Sequence, residues 1–307
     1  MPESVAALAA ATLFALGGMG CLGDSGSSGA ETGARGSSVS GEATTTAARP
    51  PADVTAEDFD PAIFDPERSF VIDNAWLPIE PGTQYVHRGW TEEDGEKIPH
   101  RIVSIVTDLT KGIGGVRAAV GWERDFSDGK LVEAELFFNA QDRGGNVWHL
   151  GEYTEEWEDG ELVGGQAWLA GHLAGARAGL MMKADPQLRS SAYSEGFAPA
   201  PYYWADQGKV FDVGTSTCVP VDCYNDVLVI DEFDQRSPDA HQLKYYARGV
   251  GPVRTGWRGS DPDKEVLVLA SLRRLTQVEM TEARRQALAL ETRARVYGLA
   301  DPAQKRE

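Results

Sequence analysis

The sequence predicts an all-β domain followed by one C-terminal helix: an antiparallel β-barrel, half-barrel or sandwich of about ten strands. Three observations carry that prediction. Runs of residues alternate apolar and polar with a period of two, as a strand with two different faces requires. Asp-Gly pairs interrupt the runs at Asp94-Gly95, Asp128-Gly129 and Asp159-Gly160, where hairpins need two residues that tolerate positive φ. Helical periodicity does not set in until the chain approaches its end.

Taken in order, residues 1–21 read as a signal peptide. Val5 to Met19 is an apolar stretch too short for a membrane span but suited to the hydrophobic region of a leader. The following small residues, Gly17-Gly18-Met19-Gly20 ahead of Cys21, resemble a bacterial lipobox, whose cysteine is acylated. That resemblance implies lipidation at Cys21 and export to the cell envelope, with the membrane as a partner through the anchor. Residues 22–53 are rich in Gly, Ser, Thr and Ala and lack the large apolar residues needed to offset chain entropy. They read as a disordered tether.

Residues 54–277 form the expected β domain. Phe59 to Phe70 is irregular and Asp- and Pro-rich, and the first strand follows Pro81-Gly82 near Gln84–Trp90. Ala118, Val120 and Trp122 share one face of a strand. In the next, Val132, Ala134, Leu136 and Phe138 share a face, and Glu133 and Glu135 take the other. Further strands are expected at Arg101–Thr107, Asn146–Tyr153, Lys209–Val219, Tyr224–Phe233, Gln242–Arg248 and Glu265–Leu272. Gly164 to Trp204 breaks the rhythm, as a lid or a surface crossover would. Residues 278–307 hold the helix. Ala283, Ala287, Leu290, Ala294 and Tyr297 recur at three- and four-residue spacing, Thr276 and Glu279 form a capping box, and Gly298 marks the stop.

Composition excludes some function classes. A net charge of −18 and a pI of 4.7 repel phosphate backbones, so nucleic acid is not an expected partner. Of three cysteines, Cys218 and Cys223 are close enough across one turn to form a disulfide in an oxidising compartment. The histidines His87, His100, His149, His172 and His241 show no ligand spacing, so no metal is expected. Gln141 to Asn146 lacks the acidic pattern of a calcium loop and reads as a hairpin turn. No phosphate loop, dinucleotide fingerprint or nucleophile elbow occurs, so the reading assigns no cofactor and no catalytic residue.

Three segments resemble a family of uncharacterised exported bacterial proteins. They are Asp73-Asn74-Ala75-Trp76-Leu77-Pro78 with Pro81-Gly82-Thr83, Ala140-Gln141-Asp142 through Gly145-Asn146-Val147-Trp148, and Tyr245-Tyr246-Ala247-Arg248-Gly249-Val250-Gly251. The resemblance implies an exported protein and no established activity. Aromatic residues on the strands suggest a cavity for an apolar small molecule or lipid, with Tyr85, Trp122, Trp148 and His149 as lining candidates. An envelope protein-interaction module is the second reading, an envelope hydrolase the third.

Overall fold

The computed structural model describes residues 54–172, 175–200, 202–294 and 303–306. The leader, Cys21, the tether and the Tyr297-Gly298 helix stop lie outside the described residues. Ahead of the sheet, two short 3-10 turns, Ala56–Asp58 and Pro61–Ile63, open an irregular segment that packs Phe64 into the core.

Fifteen strands are described, where the sequence suggested about ten. They are β1 Thr83–Glu93, β2 Glu96–Ile113, β3 Val116–Ser127, β4 Lys130–Gln141, β5 Val147–Glu158, β6 Glu161–Leu169, β7 Arg177–Met182, β8 Tyr193–Ser194 and β9 Gly196–Phe197. After these come β10 Asp206–Cys218, β11 Cys223–Asp234, β12 Ala240–Ala247, β13 Gly251–Gly259, β14 Val266–Arg274 and β15 Gln304–Lys305. Part of the excess lies between Gly164 and Trp204. That stretch is wall rather than lid, since β6 and β7 both pair with β5. Its glycines and prolines hide the alternation, and β8 and β9 are too short to show any.

Among the described residues all strand pairings are antiparallel. One hydrogen-bonded path runs β8-β10-β11-β12-β13-β14-β1-β2-β3-β4-β5-β7-β9, with β6 on β5 and β15 on β2. The two ends of this path, β8 and β9, are neighbours in the chain, so Tyr193–Phe197 joins the open edges and makes a nearly closed barrel. The three Asp-Gly hairpins have positive φ at both residues: 50° and 82° at Asp94-Gly95, 47° and 79° at Asp128-Gly129, 47° and 85° at Asp159-Gly160. That is the backbone a type I′ turn needs to match strand twist.

The wall separates two apolar clusters. Tyr85, Ile102, Val106, Phe137, Leu228, Ile230, Leu267 and Leu269 project into the lumen. Ala118, Val120, Trp122, Leu136, Phe138, Trp148 and Leu150 lie on the outer face of β3–β5. There they meet helix α1, Gln277–Arg293, which buries Met280, Ala283, Ala287 and Leu290. The helix begins one residue before the expected boundary. Thr276 caps it, and the Glu279 carboxylate accepts the Thr276 N–H at 2.8 Å. Lys111 and Glu291 form a buried ion pair at 2.6 Å, and Arg284 reaches Asp108. Burying Leu290 contributes about 2 kcal/mol.

Candidate functional site

The polar residues that alternate with the outer apolar face do not all reach solvent. Many of them line the lumen. The register sets Ser104 opposite Glu123, and Glu123 opposite Glu135, on the inward face of β2, β3 and β4. Asp125, Glu152, Glu195, Asp206, Glu232 and Glu265 are buried there as well. Around His100, Nε2 bonds Asp125, and Nδ1 lies 3.2 Å from a Glu265 oxygen whose partner oxygen accepts from Gln242 Nε2 at 2.9 Å. Burial alone would neutralise this imidazole. The hydrogen bond and charge of Asp125, with Glu265 and Glu123, overcome that and raise its pKa to about 9. Burial pushes Glu265 up to about 8 despite the opposing His100.

A second polar zone gathers where the barrel edges meet. His149 is wholly buried and edge-on to Trp168 and Trp204, with centroids at 5.1 and 5.2 Å. Burial drives its pKa down to about 3, although the nearby backbone of Gly151 and Glu195 opposes the shift. Glu152 is pushed up to about 8 by burial, the Trp168 ring N–H opposing. Glu195 and Asp206 are raised by burial first and by neighbouring carboxylates second. Lys244 pairs with Glu232 at 2.7 Å. Among the described residues no three His, Cys, Asp or Glu side chains gather as metal ligands.

The three motif segments meet at one end of the barrel. The Asn74 carboxamide oxygen accepts from the Trp76 and Leu77 N–H groups at 2.8 and 3.1 Å, and its nitrogen donates to Gly145 O at 2.8 Å. Gln141 Oε1 accepts from Asp73 N and Asn74 N, both at 2.9 Å. Asp142 accepts from Asn146 N, Asn146 Nδ2 and Trp148 Nε1 at 2.8–2.9 Å, which makes Gln141–Asn146 a hydrogen-bonded turn. Gly249 N donates to Ala75 O at 2.7 Å, and Arg248 stacks over Trp76. These contacts build a plug. Sequence spacing, which sets these segments far apart, gives no sign that they touch.

The four proposed lining residues do not share one wall. Tyr85 and His149 face the lumen, three intervening strands apart, and Tyr85 donates to Val250 O at 2.9 Å. Trp122 and Trp148 lie on the opposite face, in the cluster under the helix. The one-residue difference in parity between positions 148 and 149 separates them. Cys218 and Cys223 are opposite each other across the β10–β11 hairpin and are disulfide-bonded.

A pocket of about 360 Å³ opens on the outer surface between β5, β6 and the C-terminal end of α1. Leu162, Val163, Ala167 and Ala294 supply apolar lining, Tyr153 and Tyr202 an aromatic one, and Gln166 and Arg293 polar groups, so polar and apolar surface are balanced in it. Leu162 and Val163 are 44 and 55% exposed, high values for large aliphatic side chains. Arg293 is held by Glu155 at 2.5 and 2.7 Å, so most of its charge is already balanced while part of its donor fork faces outward. Sequence reasoning passed over this pocket because the Gly164-Gly165 pair reads as a loop.

No protein-family model matches the chain, and comparison with curated proteins finds no match. Two solved structures are similar over 66% of this chain and all of their own. One is a candidate lipoprotein from Parabacteroides distasonis ATCC 8503, 11% identical with a TM-score of 0.38. The other is a candidate exported protein with a YmcC-like fold from Bacteroides fragilis NCTC 9343, 12% identical with a TM-score of 0.36. At that distance their names carry no weight for this chain.

Proposed function

We propose that this chain is an exported envelope protein, acylated at Cys21, whose barrel domain binds an amphipathic ligand in the pocket beside α1. The observation that carries the ligand class is the pocket's lining. Leu162, Val163, Ala167 and the rings of Tyr153 and Tyr202 suit a hydrocarbon tail, and Gln166 with the Arg293 donors suits a polar head. Export rests on the leader and tether of the sequence. The ligand is assigned to this pocket and not to the lumen, whose inward face carries the buried carboxylates described above. The protein-interaction reading gains no support from the helix, because Ala283, Ala287 and Leu290 are already buried against the sheet. The hydrolase reading needs titratable groups in an open cleft, whereas Glu152, Glu195, Asp206 and Glu265, all raised by burial, lie behind the wall.

The test uses the full chain extracted from membranes. Mass spectrometry is expected to find a co-purifying amphiphile, and a fluorescent fatty-acid probe to bind with a Kd in the micromolar range, about −8 kcal/mol. Leu162→Asp with Val163→Asp should weaken the probe at least about tenfold, which is about 1.4 kcal/mol. Equal binding by wild type and the double variant would place the ligand elsewhere. Radiolabelled palmitate should mark wild type and not Cys21→Ala.

A further inference from the structure

The barrel wall is not uniformly strong. Most neighbouring strands share ladders of five to eleven residue pairs, as in β1–β2 and β2–β3. The closing crossover holds with four pairs in all: Tyr193 and Ser194 against Gly208 and Gln207 on one side, Gly196 and Phe197 against Ala178 and Arg177 on the other. Between them Glu195 N donates to Asp206 O at 2.9 Å, and the Glu195 side chain is fully buried. Two glycines make room for the crossing. A Cβ on Gly179 would stand 2.1 Å from Gly196 N, and one on Gly208 would stand 2.5 Å from Glu195 Oε1.

The Glu195 carboxylate is therefore fixed where the wall is held by two-pair ladders, as short as that between β13 and β14, and it faces groups from the adjoining elements. β10 contributes Asp206, itself influenced by Asp234 and Arg236. β11 contributes Glu232, β12 Lys244 and Tyr246, and β5 His149 and Glu152. Tyr193 lies on the crossover itself, with the Lys183 ammonium 5.0 Å from its ring, and Glu265 acts on Lys244 from β14. Glu232, Glu195 and Glu265 thus act on the Lys244 ammonium, with Asp206 beside them and Glu152 acting on Asp206. Full ionisation there leaves like charges buried without enough counter-charge, which a water-excluded site does not sustain.

We propose that Tyr193–Phe197 is a proton-controlled latch: it stays closed while this cluster holds its protons and releases the barrel edge as they leave. The closed form binds more protons than the open one, because solvent exposure returns each carboxylate to its ordinary range. Closure is therefore complete below that range and weakens as pH rises above it through the raised range in which Glu195 and its neighbouring carboxylates ionise in the closed wall. Opening would expose Trp168 and Trp204 and admit water to the lumen.

Hydrogen–deuterium exchange of the full chain, normalised to intrinsic rates, tests this between about pH 5.5 and about pH 8.5. Amides 193–197 and 206–208 are expected to lose protection at least about tenfold across that range, while those of β3 hold theirs. Glu195→Gln, which keeps the shape and removes the ionisation, should hold the crossover protected at the upper pH. Constant protection in wild type overturns the proposal, and so does a loss in Glu195→Gln equal to that of wild type. Should Glu195→Gln fail to fold, the wild-type series decides alone: selective loss at the crossover supports the latch, and uniform loss or none rejects it.

Discussion

Asp142 accepts three hydrogen bonds from Asn146 and Trp148 within one turn, and two of the donors are buried beyond it. Truncating the carboxylate leaves those donors unpaired, and bonds to a charged acceptor are among the stronger ones. Asp142→Ala should therefore lower stability by about 3 kcal/mol in urea unfolding. Asp142→Asn, which keeps one acceptor, should recover part of it. The turn itself is legible in the sequence, whereas the tryptophan bond that makes it matter is not. Glu135 shows the same limit. Alternation correctly assigns it the face opposite Leu136 and Phe138, but that face is the lumen and Glu135 is 1% exposed. A period of two looks identical for a solvated face and a polar interior, so burial of the carboxylates had no signal in one sequence.

Among elements, the helix was the easiest to read, because its cap and its apolar stripe are both local. Thr276→Ala removes the cap that accepts from Glu279 N, and should cost about 1 kcal/mol. Ala287→Asp puts a charge at a fully buried position, and should detach α1 from β2 and β4, seen as lost helical circular dichroism. The β10–β11 hairpin behaves differently. Beyond Val210 its residues are mostly exposed, so its outer half stands away from the core with the Cys218–Cys223 bond near the tip. Closing so short a loop contributes about 2 kcal/mol at most. Reduction should raise exchange at residues 215–226 and leave the remaining strands protected. By contrast, β7, β8 and β9 leave no trace in the local residue pattern, since they are defined by long-range pairing.

At the scale of the whole molecule, the buried titratable groups set an optimum pH. His87 and His149 are held neutral, with pKa values of about 4 and about 3, so their contribution is present above the ordinary histidine value and is lost as pH falls through those values. Glu152 and Glu265, raised to about 8, and His100, raised to about 9, act in the other direction. Their contribution is full below the ordinary carboxylate and imidazole values and is lost as pH climbs through 8 and 9. Each such group changes stability by about 1.4 kcal/mol per pH unit at most. Thermal melts should therefore peak in mildly acidic buffer and fall on both sides. A flat profile from acid to alkaline buffer would contradict the buried placement. The pairing of β1 with β14 carries one more consequence. During synthesis, residues 83–90 leave the ribosome long before their partners at 266–274, a wait on the order of ten to forty seconds at the usual pace. Until then the newborn polypeptide exposes an unmatched, adhesive border, and any cell that makes it must shield that border from its neighbours.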